Sequence, residues 1–296
     1  MGLSARLQPT NQVPPSDLTG IGAAAARTEE GMSHATPAAR KCPVISFVST
    51  KGGVGKTTLA YVLATEITRR LAQVGGGTRL GVPQVTCIDA DPNRTLSQIL
   101  RLTADPMIGC VESDGEALLA DLRAGLARSD IVLIDLEGTA NQAMLYAAGK
   151  SDLVLVPAQP SRFDVVEAIK TIGVVRRAAD LVGRDIAHRV VLSRTPVLRQ
   201  RVSDHSRAQF VRAGLPLLSV ELVQRAAFQA MTYTGEPPYA QTGSEAAACN
   251  VANLANAVLA IVGLSLSEVG AERQTSDPVP TPTRIAPHLR LVEGVA

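Results

Sequence analysis

The feature that most constrains the fold of this chain is a glycine-rich loop placed between two segments of different periodicity. Residues 44–48, before the loop, are mostly β-branched or aromatic, which predicts a strand. After the loop, apolar residues recur at helical spacing, at Leu59, Leu63, Ile67 and Leu71. The segment is therefore predicted to fold as strand, loop and helix in immediate succession.

The composition of the loop predicts that it binds phosphate. Gly52, Gly53 and Gly55 carry no Cβ, so successive backbone N–H groups can turn toward one anion, and a helix beginning near Lys56 adds the positive end of its dipole. Lys56 is placed to reach the β- and γ-phosphates of a nucleotide, and the Thr57 hydroxyl to ligate Mg²⁺. The predicted nucleotide-binding residues are Lys51, Gly52, Gly53, Val54, Gly55, Lys56, Thr57 and Thr58.

A second lysine distinguishes this loop from the general phosphate-binding pattern G-x-x-x-x-G-K-[ST]. That pattern requires glycine where this chain has Thr50, and the next residue is Lys51. Lys56 would already contact the phosphates bound by its own loop. Lys51 is therefore better suited to contact the nucleotide of a second molecule.

The string K-G-G-V-G-K-T-T, from Lys51 to Thr58, resembles the deviant Walker A sequence of the ParA/MinD family of P-loop ATPases. The resemblance implies an α/β fold with a doubly wound, mostly parallel sheet, and ATP and Mg²⁺ as cofactors. It also implies an ATP-dependent homodimer in which Lys51 reaches the partner's ATP, so that Lys51 and Lys56 both serve catalysis. The alternative is a glycine-rich surface turn beside two solvated lysines, which the flanking strand and helix disfavour.

Composition supports this fold class and predicts the domain bounds. Hydrophobic residues make up 46% of the 296 residues but aromatic residues only 3%, so the core consists of Ala, Val, Leu and Ile, which suits helices packed on a parallel sheet. Residues 1–41 and 267–296 are polar or proline-rich and are predicted to be disordered tails. The ATPase domain is predicted to span residues 42–266.

Charge and cysteine content narrow the function classes. A net charge of +2 does not identify a nucleic-acid-binding protein, so only a local basic patch can do so. The four cysteines are far apart, which disfavours a metal cluster and favours a reducing cytosol. The chain has no unbroken apolar run of transmembrane length, and we therefore predict a cytoplasmic protein without stable membrane insertion. A nucleoid-associated location would follow from binding to DNA.

Two predicted strands end in carboxylates. Residues 84–88 lead into Asp89 and Asp91, and residues 131–134 lead into Asp135. An acidic residue at the end of the second strand is placed to hold Mg²⁺, together with Thr57. By the family resemblance, Asp91 would orient the attacking water, while Asp89 supports the Mg²⁺ surroundings. The alternative for residues 89–93 is a turn that only stops the strand and caps the next helix.

The residues that bind the base are predicted from the family resemblance. Residues 152–161 resemble the V-P-x-Q-P segment of the family, which places Pro157 near the nucleotide. A strand at 189–192 is followed by Ser193 and Arg194, where the family normally has an asparagine for the adenine ring. Arg194 is therefore the predicted nucleotide contact at this position.

The remaining predictions concern three connecting or terminal segments and the two residues Glu137 and Gly138, which follow the strand that leads into Asp135. Residues 101–130 are predicted to be a polar, helix-prone connector, residues 215–220 a sixth strand, and residues 243–264 the last helix. Gly138 can bring its backbone N–H toward a γ-phosphate. The neighbouring Glu137 either retunes hydrolysis or points to solvent.

An arginine-rich stretch is the strongly biased patch of the chain. Six arginines lie between residues 189 and 212, against one acid, Asp204. Such a patch suits sequence-independent contact with DNA phosphates, through Arg199, Arg201 and Arg207. The alternative is an ordinary solvated helix face.

These observations predict an ATPase whose ATP-bound dimer binds DNA non-specifically. The resemblance is strongest to the plasmid branch, including the VirC-type ATPases of conjugative transfer, so the role is partition or DNA transfer, with slow hydrolysis until a ParB-like or relaxase-type partner protein binds. A MinD-type, ATP-gated membrane-surface scaffold is the first alternative. A ligase-type enzyme that phosphorylates a small carboxylate is the second.

Overall fold

Parallel strands form the centre of the chain in the computed structural model, which describes residues 42–74, 84–139, 142–198 and 201–264. The seven strands of these residues form one sheet in the order β3-β2-β4-β1-β5-β6-β7, with every pairing parallel. The strands are β1 (Val44–Phe47), β2 (Val85–Ala90), β3 (Ile108–Glu112), β4 (Ile131–Leu136), β5 (Leu153–Ala158), β6 (Ala187–Thr195) and β7 (Leu222–Val223). The predicted tails lie outside the described residues.

Helices cover both faces of the sheet, as parallel strands require. The helices are α1 (Lys56–Val74), α2 (Thr95–Thr103), α3 (Leu118–Leu126), α4 (Gln142–Lys150), α5 (Arg162–Val182), α6 (Arg201–Arg212), α7 (Ala227–Thr234) and α8 (Glu245–Val262). Helices α1, α2, α7 and α8 contribute to one buried cluster, and α3 to α6 contribute to the other. This doubly wound arrangement confirms the predicted fold class.

The central strand β1 shows how the sequence divides between the two faces. Alternate residues of a strand point to opposite sides, so Ile45 and Phe47 enter the cluster with α1. Val44 and Val48 enter the other cluster. All four residues are nearly inaccessible to solvent, which explains why β1 is apolar on both faces and fixes the direction in which the chain enters the glycine-rich loop.

Two of the predicted connections differ from the structure. The connector predicted at 101–130 contains the strand β3, which pairs with β2 alone and is only partly buried. An edge strand of this kind lacks the long apolar run that marks a central strand, which is why it was not predicted. The sixth strand predicted at 215–220 is wrong, since Leu217 forms only an isolated bridge with Val190 and the last strand is the two-residue β7.

Helix α8 confirms the last predicted helix to within two residues. It is long and apolar enough to cross a membrane by length and composition. However, Val251, Leu254 and Val258 are buried in the cluster that α1 also joins. Packing in the protein core therefore accounts for these apolar residues of α8.

Candidate functional site

The glycine-rich loop joins the carboxyl end of β1 to the first turn of α1. Gly53 and Gly55 have φ values of 72° and 97°, which side-chain-bearing residues rarely adopt. The loop therefore depends on glycine at these two positions. Since α1 begins at Lys56, the free N–H groups of its first turn face the same space as the loop. This backbone geometry fits the anion site predicted for the loop, which stays a prediction.

Thr57 and Asp135 form a buried pair beside the loop. The Thr57 hydroxyl donates to Asp135 Oδ2 at 2.7 Å. Asp135 lies within β4, where it pairs with Phe47 of β1, and its side chain is completely buried. Its second oxygen, Oδ1, has no hydrogen-bond partner among the described residues. A buried carboxylate oxygen without a partner is costly, and a hard cation such as Mg²⁺ would satisfy it.

The electrostatics of Asp135 fit the same conclusion. The pKa of Asp135 is raised to about 7, chiefly because the group is buried; the hydrogen bond from Thr57 opposes this rise, and the neighbouring Asp89 carboxylate contributes to it. A carboxyl group held in this way gains from a nearby positive charge. Thr57 and Asp135 therefore form a pair that would fit a Mg²⁺ ion, and the metal site predicted there, including Asp89, stays a prediction.

Asp89 itself organises the chain around the metal site. It lies opposite Asp135 in the register of β2 and β4. Its Oδ1 accepts from the Asp91 backbone N–H at 3.2 Å and its Oδ2 from the Ser97 backbone N–H at 2.8 Å. Each carboxylate oxygen thus accepts a hydrogen bond from a backbone N–H group, one in the turn after β2 and one in the first turn of α2. This geometry suits a supporting role rather than direct metal ligation.

Asp91 lies at the edge of the cleft that Lys56 and Thr57 also line. Its Oδ1 accepts from both the backbone and the side-chain amide of Asn93, each at 2.9 Å. These bonds fix the carboxylate while leaving it half-exposed to the cleft. The turn predicted as the alternative for this segment is therefore present, and it holds Asp91 at the edge of the cleft.

Lys56 is almost completely buried at the bottom of the cleft, with 6% of its surface exposed. Its Nζ lies 3.4 Å from the carbonyl oxygen of Lys51. Burial lowers the pKa of Lys56, and the charges of Asp135, Asp91 and Glu137 oppose that shift. The lysine is thus held near three carboxylates, and a bound phosphate would add the negative charge that favours its protonated form.

Gly138 makes the closest approach between the end of β4 and the glycine-rich loop. A Cβ at this position would lie 2.8 Å from the backbone nitrogen of Gly52 and 3.0 Å from its Cα. No real side chain tolerates this distance without moving the loop. The sequence predicted that Gly138 supplies an N–H to the γ-phosphate, and the structure adds that glycine is needed for the contact with Gly52.

Lys51 is bound to its own protomer. Its Nζ lies 2.9 Å from Oδ2 of Asp164, an almost fully buried residue in the first turn of α5. The Ser161 hydroxyl and the Gln159 backbone N–H also donate to the Asp164 carboxylate, and the Gln159 side chain donates to the Gly53 carbonyl at 3.2 Å. Sequence reasoning missed Asp164, whose only signal was its place three residues after Ser161, the residue that caps α5.

The base side of the cleft is a cavity between β6, β7 and α7. Gly55, Thr58 and Arg194 line both this cavity and the phosphate cleft, so the two are continuous. Arg194 is exposed and has a φ of 51°, a left-handed conformation that is uncommon outside glycine. The further lining residues are Ser193, Leu222, Val223, Gln224, Arg225, Phe228 and Gln229.

One predicted nucleotide contact is not brought to either cleft. Pro157 lies inside the buried strand β5, opposite Val191, and lines neither the phosphate cleft nor the base cavity. The loop after β5 contributes Gln159 instead, through its bond to Gly53. Sequence reasoning missed Gln224, Arg225 and Gln229, because no local motif shows that α7 lies beside the glycine-rich loop.

Comparison with known proteins agrees with this geometry. Residues 42–257 match the family model described as VirC1 protein. The chain belongs to the VirC1 family. It is also 30% identical over 196 residues to protein ParA of Rhizobium radiobacter, a match that covers 65% of this chain and 83% of that protein. Protein virC1 of the same organism is 29% identical over 199 residues, covering 65% of this chain and 81% of that protein. The predicted ParA/MinD family and its plasmid branch are confirmed.

Solved structures share the fold of this VirC1-family chain at low sequence identity. An ATP complex of McdA from Cyanothece aligns with a TM-score of 0.58 and 18% identity, covering 76% of this chain and 97% of that one. The cell division ATPase MinD of Pyrococcus furiosus aligns with a TM-score of 0.58 and 21% identity, covering 75% and 100%. These similarities support the P-loop fold.

The arginine-rich stretch is only partly exposed in this VirC1-family chain. Arg201, at the start of α6, is exposed. Arg207 was predicted to contact DNA phosphates, but its guanidinium group already forms ion pairs with Glu221 and with Asp204, the latter at 2.9 Å. Arg199 lies outside the described residues. Arg201 is thus the predicted DNA contact that the structure leaves most available.

Proposed function

We propose that this chain is a Mg²⁺-dependent ATPase that forms an ATP-dependent dimer and binds DNA non-specifically, in plasmid or chromosome partition or in conjugative DNA transfer. The observation that carries the proposal is the buried Thr57–Asp135 pair, with its unsatisfied oxygen, next to Lys56 and the glycine-rich loop. Family membership supports the same activity. The names of the relatives, ParA and virC1, support the plasmid setting.

Hydrolysis would use the residues already described. The N–H groups of the loop and the Lys56 ammonium hold the phosphates, and Asp91 accepts a hydrogen bond from the attacking water and orients it toward the γ-phosphate. Mg²⁺, held through Thr57 and Asp135, would neutralise charge that develops on the phosphate oxygens. The chain needs no covalent intermediate for this reaction.

The Lys51–Asp164 ion pair supports a slow reaction in the isolated protomer. A lysine that serves the nucleotide of a second protomer must leave Asp164 first, and this exchange costs part of the dimer's interaction energy. A ParB-like or relaxase-type partner protein that binds the dimer would favour the released state. The cytoplasmic, nucleoid-associated location proposed for the chain follows from this DNA-bound dimer.

DNA binding would depend on the dimer. Two protomers double the number of phosphates that an arginine patch contacts, so a patch that is weak in the monomer becomes effective only with ATP. The test is a double Arg199→Glu, Arg201→Glu variant in a DNA shift assay over a salt series. We expect weaker binding to every DNA sequence and a flatter salt dependence, with ATP-dependent dimerisation unchanged.

Arg123 and Arg128 on and after α3 provide the matched control. Both are exposed, and α3 packs against β2 and β4, at the other end of the sheet from α6. Arg123→Glu with Arg128→Glu makes the same change in net charge and should retain DNA binding. If both double variants lose DNA binding equally, the effect is one of net charge alone. If the Arg199→Glu, Arg201→Glu variant binds DNA as the parent does, the arginine patch is not the DNA-binding surface. Vesicle co-sedimentation with and without ATP tests the membrane alternative.

A further inference from the structure

The cavity between β6, β7 and α7 is placed to receive the base of a nucleotide whose phosphates occupy the glycine-rich loop. It shares Gly55, Thr58 and Arg194 with the phosphate cleft. Phe228, which packs partly against the protein core, contributes an aromatic side chain to the wall. An aromatic surface beside a continuous phosphate site suits a stacked heterocycle.

Arg225 gives this cavity a polar atom that no described residue satisfies. Its Nε is buried and has no hydrogen-bond partner among the described residues. A guanidinium group can only donate, so this atom requires an acceptor. A buried donor without an acceptor is costly in the free protein, and a ligand that supplies the acceptor recovers that cost on binding. Arg225 therefore favours a ligand with an acceptor at its base edge.

We propose that Arg225 reads the base by donating from Nε to N7 of a purine ring. The inference rests on the proposed nucleotide-binding function and adds the group that selects the base. N7 is an acceptor in both adenine and guanine and is absent from pyrimidines, so the contact selects purines. The Gln224 and Gln229 amides also line the cavity, and each offers both a donor and an acceptor for the neighbouring 6-position.

The decisive probe is 7-deaza-ATP, which differs from ATP by a C–H group in place of N7. The measurement is the affinity of the full chain for ATP and for 7-deaza-ATP, each with Mg²⁺. For the unmodified chain we expect 7-deaza-ATP to bind roughly tenfold more weakly, the size expected for one hydrogen bond to a charged group. For Arg225→Met we expect ATP affinity to fall by about the same factor and the difference between the two nucleotides to disappear.

Two further variants keep the result interpretable. Arg225→Lys keeps the charge but not the guanidinium geometry, so it should lose most of the discrimination. Arg194→Met, at the boundary of the two clefts, should lower both affinities together and keep their ratio. Because each ratio compares two ligands on one protein, a partial loss of folded protein does not change it.

Arg225 also lines a groove beside Gly243 and Ser244, at the start of α8, which offers the rival role. If Arg225 only supports α8, the ratio of the two affinities will be the same in the unmodified chain and in Arg225→Met, and the proposal is overturned. Tight ATP binding without discrimination against 7-deaza-ATP in the unmodified chain overturns it as well. Failure of the unmodified chain to bind either nucleotide would instead overturn the proposed function, and this inference with it.

Discussion

The phosphate end of the cleft is assembled mainly from one continuous stretch of chain and from neighbouring strand ends, whereas the base end draws on β6, β7 and α7. At the phosphate end, Asp135 is completely buried and Lys56 nearly so. At the base end, Arg194 and Gln224 are exposed and Arg225 is half-buried. Lys56 and Asp135 are therefore enclosed by protein, whereas two of the polar side chains at the base end are open to solvent.

This difference separates affinity from selectivity. Charged groups held in a dry, fixed arrangement give strong interactions with phosphates and Mg²⁺, which every nucleoside triphosphate shares. Groups at the base end contact the part of the ligand that differs between nucleotides. Substitutions at the phosphate end should therefore affect all nucleotides alike, and substitutions at the base end should affect them unequally.

The largest effect is expected at Asp91, which acts on the reaction rather than on binding. Asp91→Ala should retain Mg²⁺–ATP binding and lower the hydrolysis rate by roughly 10²- to 10⁴-fold, the range typical for loss of a group that positions the reacting water. The measurement is single-turnover hydrolysis beside equilibrium binding of ATP. Hydrolysis at the normal rate would rule out this role for Asp91.

The next effect concerns the stability cost of Asp135 in the metal-free protein. Its pKa is raised from 3.8 to about 7 in the folded state, so between these values the folded protein binds the proton more tightly than the unfolded chain. The free energy of unfolding therefore falls as pH rises through this window, by up to about 4 kcal/mol. Asp135→Asn removes this dependence and should be more stable than the parent near pH 8 without Mg²⁺.

Added Mg²⁺ provides the control for this prediction. Thermal unfolding of both proteins near pH 4 and pH 8, with and without Mg²⁺, gives four comparisons. Mg²⁺ should stabilise the parent near pH 8 and have little effect on Asp135→Asn. Equal pH dependence in the two proteins would mean that Asp135 is not the group responsible.

The smallest effect in this series is expected at Gly138. Gly138→Ala places a Cβ 2.8 Å from the Gly52 nitrogen and should displace the loop, lowering affinity for ATP and GTP equally, by roughly tenfold, if relaxation costs 1–3 kcal/mol. Gly173→Ala in α5 is the matched control, since nothing lies within 4 Å of its added Cβ. Unequal effects on the two nucleotides would break the separation between phosphate and base ends.

The same division explains what the sequence could predict. The loop from Lys51 to Thr58 is contiguous, and Asp135 ends a strand with a clear apolar run, so both were predicted from local pattern. Asp164 lies 113 residues from Lys51, and no local pattern pairs them. Strand β3 was missed because an edge strand carries a weak pattern, and Arg225 because its neighbours in the cavity come from distant segments.

The central claim is that the two loop lysines have separate roles, Lys56 within the protomer and Lys51 across the dimer. The most direct measurement is sedimentation velocity with and without Mg²⁺–ATP, combined with ATP binding on the same samples, for the parent, Lys56→Ala and Lys51→Ala. We expect Lys56→Ala to bind no ATP and remain monomeric, and Lys51→Ala to bind ATP nearly as well as the parent yet remain monomeric. Equal loss of ATP binding in both variants, or an ATP-dependent dimer of Lys51→Ala, would contradict the account.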